Sequence, residues 1–302
     1  MKTASMKATA MAATTKAINT TSHKDKLLGY FRNPLSGFLF LAVSLAALIT
    51  FAVLLFLIGY ILMRGIPNLN LSLFEFQYTT TNVSMMPAII NTLIMVLLAL
   101  LIAGPLGIFS AIYLVEYAKS GSRLVKIVRM TAETLSGIPS IVYGLFGMLF
   151  FVVTMGWGFS MLAGALTLSI MILPLVMRTT EEALMSVPIS YREGSYALGA
   201  GKLRTVFRIV LPGAVPGILA GIILATGRVV GETAALLFTA GSVARVPDSV
   251  LGSGRTLAVH MYVLANEGLY VNQASATGVI LLVMVLLINW LSATAAKRIV
   301  KR

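Results

Sequence analysis

The chain has 302 residues, 58% hydrophobic and only 11% charged, with a mean hydropathy of +0.93. A soluble domain is about a quarter charged, so the composition excludes a globular enzyme in water and indicates an integral membrane protein. The net charge is +13, yet the basic residues gather at the ends of apolar runs, as membrane topology rather than nucleic acid would place them.

Cysteine is absent, which removes disulfides and thiolate metal sites. His23 and His260 lie far apart without further ligand types around them, so no metal and no cofactor is expected. Residues 1–37 carry Lys2, Lys7, Lys16, Lys24, Lys26 and Arg32 and read as a cytoplasmic tail. The apolar run that follows is too long for the core of a cleaved signal and reads as a retained anchor.

A spanning helix needs about 20 mostly apolar residues. Six runs meet that length, at 38–63, 88–115, 130–153, 160–178, 211–239 and 276–296. The segments 116–129 and 179–210 and the tail 297–302 are rich in Lys and Arg; 64–87, 154–159 and 240–275 are poor in them. The alternation predicts both termini on the cytoplasmic side, one membrane domain over 38–296, and a cytoplasmic loop at 179–210. In the second run, Asn91 and Thr92 are expected to hydrogen-bond across helices. Arg245, Asp248, Arg255 and Glu267 of the outer segments read as solvated loop charges.

The third run opens with Ser136–Gly147, "SGIPSIVYGLFG". Its Gly and Pro residues either kink and pack a helix or break it. The loop then holds "EGSYALGAGKLRTVFRIVLP" from Glu193 to Pro212. Small Gly194 and Ser195 suit a short helix from Glu193 to Gly201 that sits in a cleft of another protein. Gly199 permits a sharp turn, and Pro212 fits the start of the next helix. The "GAGK" at 199–202 is not a nucleotide loop: position 196 is Tyr and Lys202 is followed by Leu203. No nucleotide site is present in this loop.

In the fifth run Gly213, Gly217 and Gly221 recur every four residues, the spacing for close helix approach. Continuing the same count puts Arg228 and Glu232 on roughly one face, four residues apart and able to touch. Intramembrane charges face packed protein or a polar path. The pair is either a clamp between helices or part of a gate.

The loop pattern of Glu193, Gly194, Ser195, Gly199, Ile209, Leu211 and Pro212 resembles the EAA loop of importer-type ABC permeases. It departs only in Gly194-Ser195, where that family more often has alanines. Three stretches narrow the resemblance: Gly137-Ile138-Pro139-Ser140 with Tyr143-Gly144, the run from Arg178 to Gly221, and "GETAALLFTAG" from Gly231 to Gly241. Together they resemble the PstA-type permease subunit of the bacterial phosphate ABC importer, over most of the chain from about Leu39 onward. The PstC-type partner shares part of the pattern and stands second, with permeases for sulfate or molybdate behind it. The resemblance implies an all-α, six-span type I importer (MetI-like) fold. It implies two copies of an ATPase at the loop, a second, related permease alongside, and an extracytoplasmic phosphate-binding protein. It also implies phosphate as the solute and alternating access as the mechanism. An intramembrane enzyme would need paired Asp, HExxH or Ser/His residues, and a secondary transporter would need no docking loop.

Overall fold

A computed structural model describes residues 34–119 and 121–300; the basic residues of the N-terminal tail lie outside them. Among the described residues five helices are long and apolar enough to cross a membrane, or six if one bent pair counts as a single span. Helix α1 runs Pro34–Gly65. Over residues 34–60, which form a unit of their own, its large side chains, Leu41, Leu48 and Phe56 among them, are more than half exposed. A helix apolar on all faces in this way suits lipid.

The second unit holds everything from Ile61 on. Two short 3-10 turns (Ile66–Asn68 and Leu71–Phe74) lead into α2, Met86–Ile112, which continues through a π-helical turn at Tyr113–Tyr117. Helix α3 is Arg123–Ser136. Helix α4, Ser140–Gly147, is extended by a π-helical turn at Met148–Thr154. Then come α5 (Met161–Ser186), α6 (Ile189–Ala197) and α7 (Lys202–Thr205). A π turn at Val206–Val210 joins α7 to α8 (Leu211–Val230). The last three are α9 (Ala234–Thr239), α10 (Leu257–Glu267) and α11 (Val271–Val300).

Helix α5 is the axis, packed by α2, α4, α8 and α9. Small residues set the approach. On the α2 side Ala99 and Ala103 are fully buried, and a Cβ on Gly107 would come within 2.8 Å of Val176. The Ser169 hydroxyl crosses to the Ala99 carbonyl at 3.2 Å. On the α8 side Gly213, Gly217 and Gly221 face Val187, Ala183 and Thr179; an added Cβ would sit 3.3 Å and 2.6 Å from the first two and closer still to the Thr179 hydroxyl. With lipid outside there is no water to expel, so this close backbone packing is what holds the helices.

Of the two readings of the third run the structure takes the break: α3 and the extended α4 meet at 102°. Pro139 has no N–H and pushes Ile138 away from helical geometry. The fourth run continues to Ser186, so the loop is shorter than 179–210. The fifth helical stretch starts at Lys202 and runs unbroken to Val230. Pro212 stands in the first turn of α8, and the π turn just before it accommodates the missing N–H. The same stretch stops short of 239, because Gly231 ends it and α9 starts afresh at Ala234.

Candidate functional site

The docking-loop end is built around α6. Pro188 precedes it with φ −55, ready for a helical first turn, so the helix begins at Ile189 rather than Glu193. It ends in a Schellman arrangement: Gly199 N–H donates to Tyr196 O at 2.9 Å and Ala200 N–H to Ser195 O at 3.1 Å. That geometry requires a left-handed residue, and Gly199 has φ +81. Gly194 and Ser195 have opposite surroundings. A Cβ on Gly194 would meet nothing within 4 Å, whereas Ser195 is buried and its hydroxyl hydrogen-bonds that of Thr205 at 2.8 Å. The serine thus ties α6 to α7, and the glycine leaves an open surface. Leu198 stands 90% exposed at the tip, with Tyr196 and Leu203 also exposed. Glu193 is exposed, Ile209 lies on the exposed side of the π turn, and Leu211 and Pro212 follow it.

Arg192 was read from the sequence only as a loop charge, and Glu116 was not singled out at all. The structure pairs them across 76 residues. Arg192 donates to Glu116 Oε1 from Nη2 at 2.7 Å and from Nε at 3.1 Å, and to the carbonyls of Val187 and Leu184 at 2.8 and 2.9 Å. Close by, Arg129 of α3 reaches buried Glu181 of α5 at 3.0 Å. An acidic residue closing an apolar run was the available signal for Glu116.

The 102° break sits at Gly137-Ile138-Pro139. Tyr143, one turn into α4, donates its hydroxyl back to Leu135 O at 2.8 Å, a second bond to a carbonyl that also accepts from Ile138 N–H at 3.1 Å. Gly144 makes the contact with α9: an added Cβ would lie 2.8 Å from the Ala235 Cα. Gly147 likewise presses on Thr167 and Thr239. The motif residues from Gly137 to Gly144 therefore brace α4 against α3 and α9.

Arg228 and Glu232 do not form the expected pair. The helix ends between them, and Glu232 turns the other way. Its Oε1 accepts from Ala235 N–H at 3.0 Å, capping α9. Arg228 is exposed and takes part in none of the ion pairs found among the described residues. It lines an open hollow of about 570 Å³ with Leu175, Ile223, Leu224 and Asn289, within electrostatic reach of the Tyr143 hydroxyl. A guanidinium in mostly apolar walls costs about 3 kcal/mol on insertion scales, and its fork suits an oxyanion. Among the described residues no group of His, Asp and Glu is arranged to hold a metal.

The family model described as "Binding-protein-dependent transport system inner membrane component" matches residues 103–302. The probable ABC transporter permease protein YqgI of Bacillus subtilis is 36% identical over 85% of this chain and 94% of its own length. The phosphate transport system permease protein PstA 2 of Mycobacterium bovis is 46% identical, but over 51% of this chain and 50% of its own. Among solved structures, a chain of a bacterial alginate ABC transporter in complex with its pentasaccharide-bound periplasmic protein superposes with a TM-score of 0.65 at 20% identity. That match covers 87% of this chain and 96% of the other. A chain of the inward-facing MetNI methionine transporter gives 0.55 at 19% identity, over 80% and 97%.

Proposed function

Because the chain belongs to the family of binding-protein-dependent transport system inner membrane components, we propose that it forms half of the translocation path for inorganic phosphate. It is a multi-pass inner-membrane permease with the fold of type I ABC importer permeases, and it is not itself catalytic. Permeases of this family partner ATPases, a second permease and a binding protein.

The observation that carries the phosphate reading is the 46% identity to a phosphate permease over about half the chain. In the proposed arrangement both termini and α6 are cytoplasmic. One of two ATPase copies receives Leu198 and the open face of Gly194. The second, related permease closes the hollow at Arg228, and the phosphate-binding protein docks at the opposite end.

The break at Gly231 gives a physical route to gating. Helix α8 delivers Arg228 to the hollow, and α9, capped by Glu232, packs on α4 through Gly144. Motion of α4 against α9 then bears on the Gly231 turn that follows Arg228, without unpacking the α5–α8 glycine stripe. The test is ATP-driven uptake of radiolabelled phosphate by proteoliposomes holding this chain, its partner permease, the ATPases and the binding protein. Phosphate uptake resistant to excess sulfate and molybdate is expected. Uptake of sulfate or molybdate in place of phosphate sinks the substrate assignment.

A further inference from the structure

At the end of the molecule away from α6, the segment between the two 3-10 turns and α2 lies over the start of α10. Three side chains meet there. Arg255 is only 4% exposed and stacks its guanidinium 4.7 Å from the centre of the Tyr78 ring. His260, fully buried on α10, meets the same ring edge-on at 6.2 Å. Among the described residues Arg255 Nε and Nη2 and both nitrogens of His260 have no hydrogen-bond partner, although all four atoms are buried. No carboxylate among the described residues pairs with Arg255.

A buried guanidinium with two idle donors is costly, and one face of a tyrosine recovers only part of what water supplied. The surroundings are held firmly all the same. Asn91 Nδ2 donates to the carbonyls of Arg245 and Arg255 at 2.9 and 3.1 Å, and Thr92 Oγ1 accepts from Leu257 N–H at 2.8 Å. Val83, buried beside His260, is held at φ +46, a conformation β-branched residues avoid and one that concentrates at working sites. Arg255 also lies at the N-terminus of the eleven-residue α10, whose dipole favours negative charge.

We propose that Arg255, His260 and Tyr78 form a second anion site, separate from Arg228, which takes a small protonated oxyanion of the phosphate class under the Tyr78 cap. Arg255 supplies the Nε/Nη2 fork to two oxygens. His260, neutral next to that cation, offers a bare ring nitrogen that accepts from a P–OH group. Phosphate carries such a proton at neutral pH and sulfate does not, so the acceptor discriminates between them. All four atoms are closed to water as Tyr78 lies now, so the ion enters only when the Tyr78 segment lifts from Arg255. The naming of phosphate rests on the proposed function; the anion site does not.

The test is equilibrium dialysis of radiolabelled inorganic phosphate against the purified permease–ATPase complex without binding protein. Saturable binding is expected. Arg255→Gln should weaken it at least tenfold, while Arg245→Gln, an exposed charge on the same loop, should leave it unchanged. Should Arg255→Gln fail to accumulate, Arg255→Lys decides: lysine keeps the charge but lacks the fork, and tenfold weaker binding is expected. No saturable binding by the wild type, or unchanged affinity in the Arg255 variant, overturns the site. Sulfate competing as well as phosphate overturns the role given to His260. A wild-type complex that binds phosphate here but does not transport it refutes the transport reading and upholds this one.

Discussion

Arg192 of α6 places two of its nitrogens on a single oxygen of Glu116, at 2.7 and 3.1 Å, where α2 ends. Both side chains are largely buried, 15% and 6% exposed, and the two remaining Arg192 bonds go to carbonyls at the end of α5. Force on α6 is thus handed to α2 and to the axis of the bundle through one guanidinium that makes four hydrogen bonds. Removing one partner of such a pair costs about 3–5 kcal/mol because a buried charge is left alone. Glu116→Gln is expected to lower the thermal stability of the complex and to leave ATP hydrolysis without matching uptake. A double-mutant cycle with Arg192→Gln should show coupling above about 1 kcal/mol. Additive effects would rule out the strut.

The docking turn separates a backbone demand from a surface demand. Gly199 has open space where a Cβ would go but sits at φ +81, so its substitutions suffer from conformation and not from collision. Gly199→Ala should cost about 1 kcal/mol, Gly199→Asn less, and Gly199→Val most. Gly194 has ordinary geometry and an open face. Gly194→Trp should therefore leave the permease as stable as wild type yet prevent co-purification of the ATPase. Normal ATPase capture by Gly194→Trp would remove this face from the interface.

How far the sequence reached depends on which signal each element carries. Apolar length alone located α1, α2, α5 and α11 to within a few residues, except that α5 and α11 run on past their expected ends. Helix α5 does so because Arg178 and Glu182 are exposed on one side while Thr180 and Glu181 stay buried on the other. The end of α8 was missed because Gly231-Glu232-Thr233 lies between two apolar runs that continue the same periodicity. The Gly and the cap-type Glu were present, but hydrophobicity outweighed them. Gly213, Gly217 and Gly221 could be read because close packing leaves a spacing. Arg255 and His260 could not: nothing local tells a buried loop charge from a solvated one, and the Tyr78 that covers them is far away in sequence.

Close contact at Gly144 predicts a sharp size limit. A methyl there meets the Ala235 backbone at 2.8 Å, and backbone does not move aside as a flexible side chain does. Gly144→Ala is expected to cost about 1–3 kcal/mol and to depress transport. Gly227→Ala, where nothing lies within 4 Å, should be neutral within about 0.5 kcal/mol. Thermal unfolding of the two variants in detergent checks the contrast. Equal stability would mean α4 and α9 do not pack through this glycine.

His260 makes stability fall with acidification. Burial first, and then the charge of Arg255, lower its pKa from 6.5 to about 3. The Val83 carbonyl near the ring opposes this a little, although neither ring nitrogen meets hydrogen-bond geometry. The unfolded chain takes up the proton as pH drops below 6.5 and the folded chain does not. The contribution is therefore complete above about pH 6.5 and is lost progressively toward pH 3, with about 2 kcal/mol gone at pH 5. In phosphate-free buffer the melting temperature should fall between pH 7 and pH 5, and His260→Asn should flatten that fall. An unchanged pH slope in His260→Asn would show that the imidazole is not held neutral.

Arg228 and Glu232 now carry separable expectations, because the helix break gives them different work. Arg228 faces the hollow and has no ion-pair partner among the described residues, so its charge is available to a passing oxyanion; Glu232 caps α9. Arg228→Gln should insert, bind its ATPase and hydrolyse ATP, yet lose uptake by at least a hundredfold. Glu232→Gln keeps an oxygen that can accept from Ala235 N–H and should retain most transport. Glu232→Ala loses the cap, should cost about 1 kcal/mol, and should slow transport through a displaced α9. Were the two residues an ion pair after all, neutralising either would strand the other, and the double neutral variant would recover both abundance and uptake. With the cap geometry found here the double variant should be as inactive as Arg228→Gln alone. Uptake assays of the four variants at matched membrane abundance decide it, and recovery in the double variant would return Arg228 to a purely structural role.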